Sequence, residues 1–239
     1  SGLLSCCLVR YVTPLHSTRS YVSKSASGDN TPGERPQQRT KNAAVARNKQ
    51  IIALGKNQKW RDILSLYQEE SAQYDNINYA TTMSQLAKIQ SVNKQDPSFI
   101  RFMDDLANEI DHKGLRWIGC QAIANIVHAI GKMSLQSKSA KSIMDFVSQK
   151  ENAKDIVSNG KPQHVANICW SMAKQSPSNK YSLFLLEAEK RASWLIKEGE
   201  PQAVANTAWA CATMGLQSPK LFAEIEKQST WLVKEGEPQ

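Results

Sequence analysis

One segment recurs along the chain, and that recurrence limits the possible folds more than any other feature. KPQHVANICWSMAK (161–174) returns 39 residues later as EPQAVANTAWACAT (200–213), matching Pro162 with Pro201, Asn167 with Asn206 and Trp170 with Trp209. An offset of 42 upstream finds CQAIANIVHAIGK (120–132), with Gln121, Asn125, His128 and Lys132 in the corresponding places. A further 44 upstream is NINYATTMSQLAK (76–88), where Thr81 replaces the Asn and Ser84 the Trp. ASWLIKEGEPQ (192–202) likewise recurs as STWLVKEGEPQ (229–239), at an offset of 37. Such a period is the signature of stacked supersecondary units.

Each unit reads as two helices. The first opens at a Gly-x-Pro-Gln turn (Gly160, Pro162, Gln163; Gly199, Pro201, Gln202), where proline is pre-set for the first helical turn and its missing N–H costs nothing. It ends near Gly215 or its equivalents. The second opens at Asp96-Pro97, Ser176-Pro177 or Ser218-Pro219, with the Asp or Ser oxygen expected to accept an orphan backbone N–H. It closes at Gly199 or Gly236, expected as left-handed stops. No segment alternates with period two. A helix pair of this size buries its apolar faces only by stacking, so the expected fold is all-α, a right-handed α-solenoid of helix-turn-helix repeats of about 37–44 residues.

The chain of 239 residues carries 30 Lys and Arg against 22 Asp and Glu, a formal charge of +8. That balance is uneven. Residues 1–50 hold eight basic and two acidic residues, a net of +6, whereas residues 51–239 hold 22 and 20, a net of +2. Residues 1–28 contain seven serines, three basic residues and no acid, the composition of an organelle targeting segment. An ordinary disordered tail has a similar composition, and a secretory signal is a weaker third reading. Residues 29–42 read as a flexible linker, 43–75 as a helix pair of a shorter unit, and 76–239 as the repeats. Ser1 at one end, and another unit beginning at Glu237 at the other, lead us to expect a longer chain on both sides.

No apolar run reaches 18 residues, so no transmembrane helix is expected. Five cysteines without C-x-x-C spacing indicate neither a disulfide framework nor a zinc ribbon. His128 and His164 have no Cys or carboxylate at ligand spacing, and His164 is expected at the surface, so no metal and no cofactor are expected. No G-x-S-x-G, H-E-x-x-H or Walker loop is present, and the chain is not expected to be an enzyme. The pairs Glu69-Glu70 and Asp104-Asp105 read as solvated faces.

The motif PQxVANxxWxxA, as in 162–173 and 201–212, resembles the octotricopeptide-type helical repeats, which resemble the arrays of FAST-kinase-like proteins that often end in a RAP domain. The resemblance covers roughly 76–239 and degrades in the first two units. The pair at 43–75, running into DNINYATTMSQLAKI, is similar to a pentatricopeptide junction. The resemblance implies an organellar RNA-binding protein acting in RNA processing, stability or translation, in a mitochondrion or alternatively a plastid. Its partners would be single-stranded RNA and other RNA-processing proteins. No RAP domain lies within these residues.

At 100° per residue, Gln202, Asn206 and Thr213 fall on one line, repeated as Gln163, Asn167 and Lys174, then Gln121, Asn125 and Lys132, then Ile77, Thr81 and Lys88. Amides both donate and accept, which suits base edges, and terminal lysines suit phosphate. The nine residues from Gln121 to Thr213 are the RNA-binding candidates. The opposing reading has the recurrent Asn bonding the backbone of the next unit. Trp170, Trp194, Trp209 and Trp231 are expected in the core. The near-neutral repeats keep a protein-binding scaffold of the HEAT or tetratricopeptide kind as the alternative function. A catalytic domain beyond residue 239 is a third reading.

Overall fold

The computed structural model describes residues 36–176 and 179–228, and every regular element among them is helical. In chain order these are α1 (Pro36–Lys56), α2 (Trp60–Glu70), α3 (Asn76–Leu86), α4 (Pro97–Ile118), α5 (Cys120–Met133), α6 (Lys138–Ser148), α7 (Lys150–Asn159), α8 (Pro162–Gln175), α9 (Ser182–Glu189), α10 (Ala192–Glu198), α11 (Pro201–Thr213) and α12 (Pro219–Lys227). The chain is all-α, as its periodicity predicts. Among the described residues no helix is long and apolar enough to cross a membrane. The expected targeting segment, Pro177, Trp231, Gly236 and the unit beginning at Glu237 lie outside the described residues. α1 begins at Pro36, inside the stretch read as linker.

The first helices of the units form one row, in which α1, α3, α5, α8 and α11 each touch the next. Close approach comes from small residues. A Cβ on Gly131 of α5 would stand 2.7 Å from Ser171 Oγ and 3.0 Å from Ser171 Cα on α8. A Cβ on Gly55 of α1 would likewise strike Gln85 of α3. Pro97, Pro162, Pro201 and Pro219 all occupy the first turn of their helices, as expected.

The second helix of each unit departs from the expected single rod. In the first full unit α4 is kinked at Gly114 (φ 72°). In the next two the second helix is broken outright, giving α6 and α7 and then α9 and α10. The break at Gln149 is held by Asn152, whose Nδ2 donates to Phe146 O at the end of α6 (2.9 Å). At the next break Arg191 donates from Nη1 to Val157 O and Ser158 O (2.7 and 2.9 Å), closing the end of α7 from the following unit. Such bonds satisfy carbonyls that a helix end leaves orphaned. As a result α7 packs on α9 and α10 on α12, across the unit boundary.

Two expected caps are corrected. Gly199 is extended (φ −84°), not left-handed; the position excludes a Cβ, which would lie 2.2 Å from Leu195 O. Ser218 makes no side-chain cap and is buried with φ 42°. Asp96 does cap α4, accepting from Ser98 N at 2.9 Å. The acidic pairs are also more than solvated faces. Glu70 accepts from Arg47 (2.6 Å), Asp105 from Tyr67 Oη (2.7 Å) and Asp104 from Ser139.

Arg47, only 4% exposed, ties the opening pair to the next unit. Besides Glu70, its Nη1 donates to Gln73 O (3.0 Å) and Asn78 Oδ1 (2.9 Å). Asn78 in turn donates to Ala44 O (3.1 Å) and Asn48 Oδ1 (2.7 Å). Replacing Arg47 by Ala leaves these groups unpaired and is expected to cost about 3–5 kcal/mol of unfolding free energy in urea titration. Gly131→Ala, which forces α5 and α8 apart, is expected to cost about 1–3 kcal/mol in the same measurement.

Candidate functional site

Within a first helix, positions i, i+4, i+7 and i+11 fall inside a sector of about 60°. On α8 these are Gln163, Asn167, Trp170 and Lys174; on α5, Gln121, Asn125, His128 and Lys132; on α11, Gln202, Asn206, Trp209 and Thr213. The nine candidates therefore share one stripe across three touching helices. Gln121, Lys132, Lys174 and Thr213 are exposed, and Asn125, Gln163, Asn167, Gln202 and Asn206 are half-buried.

The bonding of Asn167 bears on its role. Its Oδ1 accepts from Gln163 Nε2 at 2.8 Å, one turn back on the same helix. That pairing leaves a donor on Asn167 and an acceptor on Gln163 within the stripe. Bonds from one unit to the backbone of another come from other amides: Gln175 Nε2 to Ile130 O (2.8 Å) and Asn78 Nδ2 to Ala44 O (3.1 Å).

The third position of each quartet forms a ladder of rings. His128 lies 5.2 Å from Trp170, centroid to centroid, and Trp170 lies 6.5 Å from Trp209. Lys174 Nζ stands 4.9 Å from the Trp170 ring, within cation–π range. Trp170 is 7% exposed, as a core residue should be. Trp209 and Trp194 are only partly buried against the core. Trp194 sits off the stripe, donating to Glu198 Oε2 (2.9 Å) beneath the Arg191 guanidinium, 4.0 Å away. His164 is half-buried and serves the helix start, its Nδ1 accepting from Lys161 N (3.2 Å).

The lysines are close enough to feel one another. Desolvation and then the charge of Lys132 lower the pKa of Lys88. Burial, followed by Lys132 and Lys174, pushes His128 down to about 4. The imidazole is therefore neutral at pH 7. Lys132 and Lys174 stand in the last turns of α5 and α8, where a cation also complements the helix dipole.

Packing extends the stripe to a helix that the repeat motif does not reach. Gln85 and Ser171 are equivalent positions two units apart, 86 residues in sequence, and Gly55 and Gly131 are the glycines that face them. Gly55 therefore corresponds to Gly131, and Lys56 to Lys132. The α1 quartet becomes Val45, Lys49, Ile52 and Lys56, and all four are exposed. Lys56 continues the terminal row through Lys88, Lys132 and Lys174, with Thr213 last. Neither α1, α3, α5, α8 nor α11 contains a single Asp or Glu. The acids lie on the second helices and the turns, which is why a near-neutral total conceals a basic face. That partition is open to reading in the sequence once helices are assigned to rows; the place of Lys56 is not, because its unit is 32 residues long rather than about 40.

Among the described residues no group of three His, Cys, Asp or Glu side chains could hold a metal ion. Cys169 and Cys211 are buried, and burial raises the pKa of both thiols.

Because folding requires neutral His128, the unfolded chain binds the extra proton below its pKa of about 6.5. Stability from this residue is complete above pH 6.5 and declines as pH falls toward 4, by about 2–3 kcal/mol between pH 7 and 4.5. Urea titrations at the two pH values measure this, and His128→Gln is expected to remove that part of the difference. No protein-family model, no curated protein and no solved structure matches this chain.

Proposed function

We propose that this chain is a right-handed α-solenoid of the octotricopeptide type that grips single-stranded RNA along its first-helix row. The observation that carries the reading is the absence of acids from five touching helices, combined with the row Lys56, Lys88, Lys132 and Lys174 beside the ring ladder. An acid-free lysine row suits a phosphate backbone, which attracts cations whatever its sequence. The Gln163–Asn167 pair, with a donor and an acceptor remaining, suits the edges of unstacked bases. Trp209, half-buried at the end of the ladder, is the aromatic best placed to take a stacked base.

The Ser-rich, acid-free leader supports import into a mitochondrion, or alternatively a plastid, where the protein would act in RNA processing, stability or translation. The alternative, a protein-docking scaffold, draws support from one observation: Val45 and Ile77, at equivalent positions on α1 and α3, are 53% and 54% exposed. Two aliphatics are a small patch by the measure of protein interfaces.

The test uses the full chain, labelled single-stranded RNA and fluorescence anisotropy across a salt series. Replacing Lys88, Lys132 and Lys174 together by Gln is expected to flatten the slope of log affinity against log salt by about 2, because each lysine–phosphate pair contributes about 0.7 to it. Unchanged affinity and slope would place binding in the basic tail and sink the reading. Asn167→Ala is expected to lower RNA affinity without shifting Tm; a large drop in Tm would instead make Asn167 structural.

A further inference from the structure

The stripe contains one titratable group, His128, that burial and then the neighbouring lysines keep uncharged. His128 is set between Lys132, one turn along its own helix, and Lys174 of the next unit. Its ring lies 5.2 Å from Trp170, tilted by 49°, and Lys174 Nζ lies 4.9 Å from that same indole. One cation and a histidine thus flank the same aromatic ring.

No counter-ion is built in. α3, α5 and α8 contain no Asp or Glu. α4 and α6 also touch α5, and after burial the charges that lower the imidazole pKa are those of Lys132 and Lys174. On α3 the equivalent place is Ser84, with Lys88 one turn on. An imidazolium here therefore requires an anion from outside. An incoming phosphate between Lys132 and Lys174 reverses the sign of the local field, and the indole face of Trp170 then favours a cation on the ring beside it.

We infer that His128 becomes a third cationic contact when the stripe is occupied, so that binding a phosphate backbone at Lys132 and Lys174 takes up a proton on this imidazole. The inference rests on the RNA reading of the stripe and specifies its regulation. RNA binding would tighten as pH falls, by up to tenfold per pH unit below the pKa that His128 has in the complex. The proton comes from solvent and returns to it on release. Position 128 is where the next two units carry Trp, so this coupling belongs to one unit alone.

The experiment measures the affinity of the full chain for a 15-nucleotide polyuridylate at pH 7.5 and 5.5, at fixed salt. Between those values wild type is expected to gain about tenfold more affinity than His128→Gln or His128→Trp, neither of which titrates there. His16, His112 and His164 remain in every variant and cancel in the comparison. Equal pH dependence in all three proteins would overturn the inference while leaving RNA binding intact. No binding by any of them at either pH would overturn the RNA reading itself. If both variants fail to fold, the wild-type His128 ring resonances decide: a midpoint raised toward neutrality by polyuridylate supports the coupling, and one that stays near 4 ends it.

Discussion

Everything about the surface of this protein depends on how closely its first helices approach one another. Small residues stand immediately before the terminal position of each first helix, Gly55, Ala87, Gly131, Ala173 and Ala212, and at Gly55 and Gly131 the next helix leaves no room for a Cβ. Where the small residue is glycine, the facing side chain lies within 3 Å of where a Cβ would stand. Close axes bring equivalent side chains of successive units into direct register. That register makes His128, Trp170 and Trp209 a continuous ladder, and it makes Lys88 and Lys132 electrostatic neighbours. A wider spacing would leave the same residues as isolated surface groups.

Repulsion along such a row has a cost, and the fold distributes it. Each lysine follows the small residue at the end of its helix, where the backbone carbonyls present partial negative charge and the ammonium reaches water. The carboxylates lie elsewhere, on second helices and turns, where several perform structural work: Glu70 on Arg47, Asp105 on Tyr67, Asp75 at the start of α3. Segregation of charge between the two rows gives the molecule a directional field that the net +2 of residues 51–239 hides.

Much of the architecture is legible in the sequence, for local physical reasons. The starts of α8 and α11 can be read because a proline in the first turn and a recurrent apolar pattern agree. The quartet positions can be read because helical angles follow from spacing alone. The break at Gln149 cannot, since nothing at that residue forbids helix; it depends on Asn152 reaching back to Phe146. Gly199 reads as a left-handed stop, yet glycine is required there by the nearness of Leu195 O. Trp209 and Trp194 share the pattern of Trp170 but not its full burial, because burial depends on the neighbouring unit. The membership of α1 in the stripe is hidden by its different spacing and emerges only through the approach of Gly55 to Gln85.

The broken second helices also determine where this chain can be divided. By sequence, a unit begins at each Gly-x-Pro-Gln turn. By packing, α7 belongs with α9 and α10 with α12, and Arg191 fastens the end of α7 from the unit that follows. A repeat excised at its sequence boundary therefore keeps both outer helices but loses the helix that each packs against. The exchangeable module runs from break to break, so evolution or an engineer lengthening the array would do best to join segments near Gln149 and Lys190.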